Sequence, residues 1–248
     1  MKTNALAVNN VCKRFGGLKV IDHLTLAIRS NEIRCIIGPN GAGKTTFFNL
    51  ITGKIMPDSG NILMEGKDIT RLKPYQIVHR GIARKFQVPT VFKNQTIFEN
   101  LAISVRGHQN FWPLIFGSWS KAETKTKVEE IMKTVNLLGR SNETAGSLSH
   151  GERQWLEIGM VLANHPRIML LDEPTAGMSP QETIETSRII KNISRQMTTI
   201  IIEHDMKFLK TIADFVTVLH QGRVLAEGSF KQIQDNEIVS NVYLGKEI

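Results

Sequence analysis

The stretch that decides the fold is Gly38-Pro39-Asn40-Gly41-Ala42-Gly43-Lys44-Thr45. It matches the pattern G-x-x-x-x-G-K-[ST] in full, follows the apolar run Ile33–Ile37 and precedes apolar residues with helical spacing at 47–51. A strand, a glycine-rich loop and a helix in this order are the setting that a phosphate-binding loop requires. Glycines let backbone N–H groups approach phosphate oxygens, and the positive end of the helix dipole favours the anion.

The loop therefore predicts a nucleotide site. Lys44 is expected to reach the β- and γ-phosphates of ATP, and Thr45 is expected to ligate Mg²⁺. Chance gives only ~0.01 such matches in a chain of this size, so the alternative of a plain glycine turn beside a surface lysine is disfavoured. The predicted ATP contacts from this segment are Gly38, Pro39, Asn40, Gly41, Ala42, Gly43, Lys44, Thr45 and Thr46.

A second apolar run, Ile168–Leu171, ends in two acids, Asp172 and Glu173. A buried parallel strand would deliver both carboxylates to the carboxyl edge of a sheet, where ligands bind. We expect Asp172 to hold Mg²⁺ through water and Glu173 to polarise the attacking water. An acidic turn after an ordinary strand is the alternative for this pair alone. Together with the loop, the pair completes a magnesium–nucleotide site.

Composition sets the wider limits. The 248 residues are 41% hydrophobic and 22% charged, which is ordinary globular usage. Cys12 and Cys35 are too few for a disulfide framework and show no metal-ligand spacing, so two reduced cysteines are expected. No stretch approaches the ~20 apolar residues of a membrane span, and the N-terminus has no signal-peptide pattern. A soluble protein is expected, with any membrane role supplied by a partner.

The net charge of +8 comes from scattered lysines and arginines, with no block of five like charges. Solvated faces are therefore the favoured interpretation, and no nucleic-acid partner is expected. The charge is also compatible with work beside an anionic lipid leaflet.

Short apolar runs alternate with helical patterns, which is typical of an α/β domain. Predicted strands are Leu24–Ile28, Ile33–Ile37, Asn61–Met64 paired with Lys67–Ile69, Ile168–Leu171, Thr199–Ile202, Phe215–Leu219 and a strand after the turn Gln221-Gly222. From Gln87 to about Leu148 the character changes. Aromatic and proline residues cluster at 111–119, and Lys121–Leu138 has helical spacing, which predicts a helical insertion.

The segment Leu148–Gln154, just upstream of the acidic strand, resembles the LSGGQ signature motif of the ABC ATPases. Other landmarks of that family follow in order along nearly the whole chain. Phe15 resembles the aromatic that stacks on adenine, Gln87 the glutamine that touches Mg²⁺ and senses the membrane partner, and Ala176–Ser179 lies where the D-loop falls. His204 resembles the switch histidine that contacts the γ-phosphate. Alone, each would be interpreted as a core, surface or turn residue.

The signature motif departs from the family pattern at two positions. His150 replaces the first glycine of the pair and Glu152 replaces the closing glutamine. Ser149 and Gly151, which the family uses against the γ-phosphate bound by a neighbouring subunit, are kept. His150 either weakens that contact by its bulk or adds a donor. Ser149 and Glu152 also fit a capping box, and Ser179-Pro180-Gln181-Glu182 fits a second one.

The resemblance implies an α/β P-loop NTPase of the ABC nucleotide-binding type, with a mainly parallel core sheet, a small antiparallel β part and a helical subdomain. It implies one domain over 1–248, with the core at 1–88 and 155–248 and the helical part at about 89–154. ATP and Mg²⁺ are the implied ligands. Glu173, His204 and Gln87 are the implied catalytic residues, with the metal ligands Thr45, Gln87 and Asp172.

The implied partners are a second ATPase subunit, transmembrane permease subunits and, indirectly, a solute-binding protein outside the cell. Each ATP would lie between the phosphate loop of one subunit and the signature helix of the other, at the inner face of the cell membrane. Three segments resemble the branched-chain amino acid uptake branch, namely Gly81–Arg84, Leu156–Gly159 and Val242–Gly245. Within it, Leu148–Gly151, Gln154–Met160 and Val216–Gly222 are most similar to urea-uptake subunits.

Two other classes stay open. Soluble ABC ATPases that act on ribosomes carry two ATPase domains, and those of DNA repair carry a long coiled coil; this chain has neither feature. A regulatory module without turnover is the second alternative, and the presence of Glu173 and His204 argues against it.

Overall fold

The computed structural model describes residues 4–85, 91–107 and 121–243. It divides into two compact units, the first made of Met1–Ala83, Arg167–Glu173 and Ser194–Ile248, and the second of Arg84–Pro166 and Pro174–Ile193. These limits differ from the predicted helical part at about 89–154. The second unit extends beyond the predicted helical part because the helices over His150–Leu162 and Pro180–Ile193 pack with its other helices.

The strands of the structure lie in two sheets. One has the order β2-β1-β4-β5 and is antiparallel throughout; the other has the order β10-β9-β3-β8-β7-β6. Their bounds are β1 Asn4–Phe15, β2 Leu18–Arg29, β3 Ile33–Ile37, β4 Ser59–Met64, β5 Lys67–Asp68, β6 Ile82–Arg84, β7 Ile168–Asp172, β8 Thr198–Ile202, β9 Phe215–His220 and β10 Arg223–Gly228. The predicted α/β class, with a mainly parallel core sheet and a small antiparallel part, is confirmed.

Four strands of the larger sheet are parallel and fully or almost fully buried, namely β3, β7, β8 and β9. Their register places Ile36 beside Ile202, and Ile202 beside Asp172. The segments that follow these three residues therefore leave the sheet along one edge. That edge is where ligands bind in parallel α/β sheets.

Two hairpin turns confirm the sequence prediction. Both residues of Glu65-Gly66 have positive φ, 48° and 77°, and so do both residues of Gln221-Gly222, 48° and 76°. Two consecutive left-handed residues match the right-handed twist of the flanking strands, which is the geometry of a two-residue hairpin.

The helices are α1 Lys44–Ile51, α2 Pro74–Arg80, α3 Ile97–Gly107, α4 Lys121–Thr134, α5 His150–Leu162, α6 Pro180–Ile193, α7 Met206–Ile212, α8 Phe230–Gln234 and α9 Glu237–Tyr243. In the second unit α3 packs on α4 and α5, and α5 packs on α6. A buried hydrogen bond of 2.8 Å from Trp155 Nε1 to Thr186 Oγ1 joins α5 to α6.

The predicted helix Lys121–Leu138 is too long at its C-terminal end. α4 ends at Thr134, and Asn136 has a φ of 56°, the left-handed conformation that commonly terminates a helix. Leu138 is consequently off the helix and 46% exposed, whereas Leu137 is buried. Val128, Met132 and Val135 are buried as predicted.

Some predictions fall on residues that the structure does not describe, namely the aromatic cluster at 111–119 and the end of Val242–Gly245. Cys12 and Cys35 are both buried and free, as expected. Within residues 4–85, 91–107 and 121–243, no helix combines the length and apolar character needed to cross a membrane.

Candidate functional site

The phosphate loop joins β3 to α1 in the first unit. Gly43, at the N-cap of α1, has a φ of 101°, and a Cβ added there would lie 2.8 Å from Ile21 Cδ1 of β2. Gly41 has a φ of 80°, and a Cβ there would meet nothing within 4 Å. Gly41 therefore faces open space that a phosphate could enter, while Gly43 is needed for packing against β2 as well as for its backbone angle.

Lys44 folds back over the loop. Its Nζ donates hydrogen bonds to the carbonyl oxygens of Gly38 at 2.6 Å and Pro39 at 2.9 Å. An ammonium group has three hydrogens, and these bonds use two of them. Burial lowers the pKa of Lys44, and the negative charges of Glu173 and Asp172 act in the opposite direction. The two acids at the end of β7 therefore lie close enough to Lys44 to influence its pKa.

The other loop residues are placed by the same turn. Asn40, Gly41 and Thr45 are exposed, whereas Ala42 is buried and its N–H bonds Pro39 O at 3.2 Å. Thr46 is partly buried in the first turn of α1. The hydroxyl of Thr45 is thus available to a ligand at the start of the helix.

The acidic strand end lies at the predicted edge. Asp172 is the buried last residue of β7, and Glu173 follows it, 45% exposed at its side chain. Glu173 has a φ of 47°, an uncommon angle for a residue with a side chain. Its N–H donates to Ile202 O at 2.9 Å, which holds this conformation against the end of β8.

His204 lies beside that carboxylate, with its Nδ1 3.7 Å from Glu173 Oε1. The backbone N–H of His204 donates a hydrogen bond to Oε2 of the buried Glu203 at 2.9 Å. Asp205 caps α7 by accepting bonds from Lys207 N at 2.8 Å and Phe208 N at 3.1 Å. Glu203 therefore holds the His204 backbone, and Asp205 holds the start of the helix that follows it.

Phe15 ends β1 with 49% of its surface exposed. The Nζ of Lys13 lies 5.7 Å from the centroid of its ring. An exposed aromatic ring at a strand end offers a face on which a planar base can stack. Exposure of the ring alone does not indicate a base-binding site.

The signature segment lies in the second unit. Ser149 is the N-cap of α5; its Oγ accepts from Glu152 N at 3.2 Å, and its N–H donates to Glu152 Oε2 at 2.9 Å. Glu152 also pairs with Arg140. The predicted capping box is confirmed, and it accounts for the glutamate at the last signature position.

His150 is the first residue of α5, and its side chain contacts the segment that follows β7. Its Nε2 lies 3.0 Å from the carbonyl oxygen of Ala176. Because a carbonyl oxygen only accepts, Nε2 carries the proton in this contact. The imidazole therefore ties the start of α5 to the segment Ala176–Ser179.

Glu182 is the residue that sequence reasoning assigned only to capping. Its Oε1 accepts from Ser149 Oγ at 2.8 Å and from Gly151 N at 3.1 Å. Its Oε2 accepts from Ser179 N and Ser179 Oγ, both at 2.9 Å. The predicted second box is confirmed, but one carboxylate serves the starts of both α5 and α6. Gln87 lies outside the described residues.

The geometry defines a class first. A phosphate loop between β3 and α1 shares one sheet edge with an acidic pair and a histidine, which is the arrangement of a P-loop nucleotide hydrolase. The ABC transporter family model matches residues 21–176.

Relatives cover the whole chain. The high-affinity branched-chain amino acid transport ATP-binding protein BraF of Pseudomonas aeruginosa is 37% identical, over 99% of this chain and 100% of its own. The corresponding LivG of Escherichia coli is 36% identical, with the same coverage. A crystal structure of the ADP conformation of an ATP-binding cassette of an ABC transporter superposes with a TM-score of 0.86 at 30% identity, covering 99% of both chains.

This chain belongs to the ABC transporter ATP-binding family. It is an ATP-hydrolysing transport subunit, and the soluble ribosomal or DNA-repair alternative is not supported. The branched-chain resemblance agrees with these relatives. The narrower similarity to urea-uptake subunits is not confirmed by them and stays a prediction.

Proposed function

We propose that this chain uses MgATP to power the uptake of branched-chain amino acids through separate membrane subunits. The solute class rests on the names of the full-length relatives at 36–37% identity. Because no solute touches an ATP-binding subunit of this kind, the chemistry of the chain supports the ATPase step and the relatives support the solute.

The residues present fit a magnesium ion. Thr45 offers an exposed hydroxyl at the start of α1, and Asp172 offers a carboxylate at the end of β7. Mg²⁺ prefers such oxygen ligands and retains water in the rest of its shell. The ion would neutralise phosphate charge, with Thr45 and Asp172 holding it and Gln87 as the third predicted ligand.

The observation that carries the proposal is Glu173 held in a left-handed conformation beside His204. A carboxylate fixed by its backbone at the edge of the sheet can accept a proton from an attacking water. His204, 3.7 Å away, would contact the γ-phosphate. Lys44 would leave its bonds to the loop carbonyls and place its charge on the β- and γ-phosphates.

The active assembly is proposed to contain two ATPase subunits. Ser149 and Gly151 begin α5, whose N–H groups suit an anion, and they would contact the γ-phosphate bound by the partner's loop. Phe15 would stack on adenine. Closure on ATP would drive the permease subunits at the inner face of the membrane, and a solute-binding protein would act on the other side.

The test of the chemistry is Glu173→Gln. This change keeps the size of the side chain and removes the base, so turnover should fall by ~10²–10⁴-fold while ATP affinity stays near the wild-type value. ATP hydrolysis per folded molecule and equilibrium nucleotide binding are measured together. The matched control is Glu65→Gln, an exposed glutamate with a φ of 48° in the β4–β5 turn. Turnover of Glu173→Gln within about threefold of the wild type contradicts the assignment, since a general base contributes more.

A further inference from the structure

The start of α5 already holds an anion, and that anion belongs to the chain itself. Glu182 Oε1 lies 2.8 Å from Ser149 Oγ and 3.1 Å from Gly151 N. A Cβ added to Gly151 would lie 2.5 Å from the same Oε1. The carboxylate therefore fills the space directly over the two residues that the proposed function assigns to the partner's γ-phosphate.

Each of the two donors, the Ser149 hydroxyl and the Gly151 amide, has only one hydrogen atom to donate. The Ser149 hydroxyl accepts from Glu152 N at 3.2 Å, so its single proton is free to be donated, and it goes to Glu182. The Gly151 amide likewise has one proton and gives it to the same oxygen. A phosphate oxygen has no proton at neutral pH to offer in return. Neither donor can therefore bond a γ-phosphate fully while Glu182 stays in place.

The contact is also electrostatically favourable. The N–H and hydroxyl of Ser179, with the Ser149 hydroxyl, lower the pKa of Glu182 to about 2, so the group is a carboxylate at neutral pH. Its negative charge and planar oxygen pair imitate part of a phosphate at a helix N-terminus. Two anions at one helix start also repel each other. This repulsion adds to their competition for the same two hydrogen-bond donors.

We propose that Glu182 is an internal competitor of the γ-phosphate: it occupies the donors of Ser149 and Gly151 in the ATP-free chain and must withdraw before the two-ATPase assembly closes. This inference rests on the proposed role of Ser149 and Gly151. Closure then requires an exchange of one anion for another, and the apparent affinity for ATP is reduced by the fraction of molecules in which Glu182 is still bound.

Withdrawal has a consequence inside the second unit. The other carboxylate oxygen of Glu182 bonds Ser179 at the start of α6, and His150 bonds Ala176 three residues earlier. A rotation of Glu182 away from Ser149 can keep the Ser179 bonds, because those involve the second oxygen. Glu182 thus acts as a positioning residue for the signature segment and does not contact the reacting atoms.

The test is the ATP dependence of hydrolysis in the transporter complex purified with its membrane subunits. Glu182→Ala should lower the half-saturating ATP concentration about tenfold, because a hydrogen bond to a charged group no longer has to be broken. Glu182→Gln keeps an acceptor without the charge and should lower it about threefold. ATP binding to the isolated chain should not change in either variant, since the phosphate loop is intact.

Controls separate competition from capping. Glu185→Ala removes a glutamate from the same helix that pairs with Arg188, and it should leave the half-saturating concentration unchanged. Loss of the α6 cap alone would reduce the amount of folded enzyme, seen as a lower melting temperature and maximal rate, without moving the half-saturating concentration.

The outcomes are distinguishable. Ser149→Ala should abolish most hydrolysis if the proposed function is correct; wild-type activity in that variant overturns the proposed function and this inference with it. Loss of activity in Ser149→Ala, with Glu182→Ala unchanged within twofold or requiring more ATP, overturns the internal competitor alone.

Discussion

The helices α1 and α5 both begin at places proposed to face phosphate, but their N-termini are capped differently. α1 begins after Gly43, for which the structure of the described residues shows no side-chain cap, and Lys44 in its first turn supplies a positive charge. α5 begins at Ser149 and is satisfied by two carboxylates of its own chain, Glu152 and Glu182. Carboxylates of the chain itself therefore cap the second start, whereas the first has no side-chain cap among the described residues.

The difference teaches how binding can be ordered in time. A helix start that has no side-chain cap and has a neighbouring lysine attracts phosphate directly. A helix start whose donors are occupied binds a new anion only by exchange, so its contribution comes later and depends on the free energy of the contact that is broken. Three perturbations sharpen this comparison, from the largest expected effect to the smallest.

Ser149→Arg should give the largest effect. Bulk and loss of a phosphate donor at the start of α5 should lower hydrolysis by about 10²-fold, while nucleotide binding by the isolated chain stays intact because Lys44 and Thr45 are unchanged. ATP-induced dimer formation in a Glu173→Gln background should also disappear. Size measurements with and without ATP, together with hydrolysis per folded molecule, check both points.

Ser147→Arg is the matched control for that substitution, because it adds the same group to an exposed serine two residues earlier. If Ser149 is only a cap, Ser149→Arg costs ~0.5–2 kcal/mol of stability, and activity follows the amount of folded protein. If the double variant Ser149→Arg with Glu173→Gln still dimerises on ATP, the proposed role of Ser149 across the interface is contradicted.

Lys44→Ala tests the start of α1. Loss of a charged partner of the phosphates should weaken ATP binding by about ten- to a hundredfold, measured by titration of the isolated chain. Lys54→Ala, an exposed lysine shortly after α1, should bind ATP as the wild type does. Unchanged affinity in Lys44→Ala would leave α1 without its proposed function.

The smallest effect concerns acid stability. The pKa of Glu182 is lowered from 4.5 to about 2 in the folded chain. Its contribution to stability is therefore fully present above about pH 4.5 and is lost as the pH falls towards 2. Glu182→Gln should remove that dependence, so the difference in melting temperature between wild type and variant should shrink through this window. A difference that stays constant from pH 6 to pH 2.5 would contradict the proposed charge on Glu182.

The sheet edge and the loop were accessible from sequence because their signals are local. β3 runs over the predicted Ile33–Ile37, and β7 extends the predicted run by Asp172. β1 is missing from the prediction because its alternation is broken. Register shifts interrupt its pairing with β2, and Asn10 has a φ of 51°, so neither a period of two nor a period of 3.6 persists along it.

The candidate site shows the same division. Both capping boxes are visible as short patterns, and each is present in the structure. Their meeting is not visible, because Glu182 reaches Gly151 across 31 positions of sequence and only the packing of α5 on α6 brings them together. The roles of Phe15, Gln87 and His204 came from resemblance rather than from any pattern of their own.

The hydrogen bond from Glu173 N to Ile202 O ties the position of the proposed catalytic pair, Glu173 and His204, to the sheet. Ile202 is the last residue of β8 and His204 is two residues further on, so the same pairing that aligns β7 with β8 also fixes the distance between the glutamate and the histidine. A single inserted or deleted residue in either strand would shift one partner by about 3.3 Å while leaving both residue types in place. The number of residues from the end of each strand to Glu173 and to His204 is therefore set by the pairing of β7 with β8.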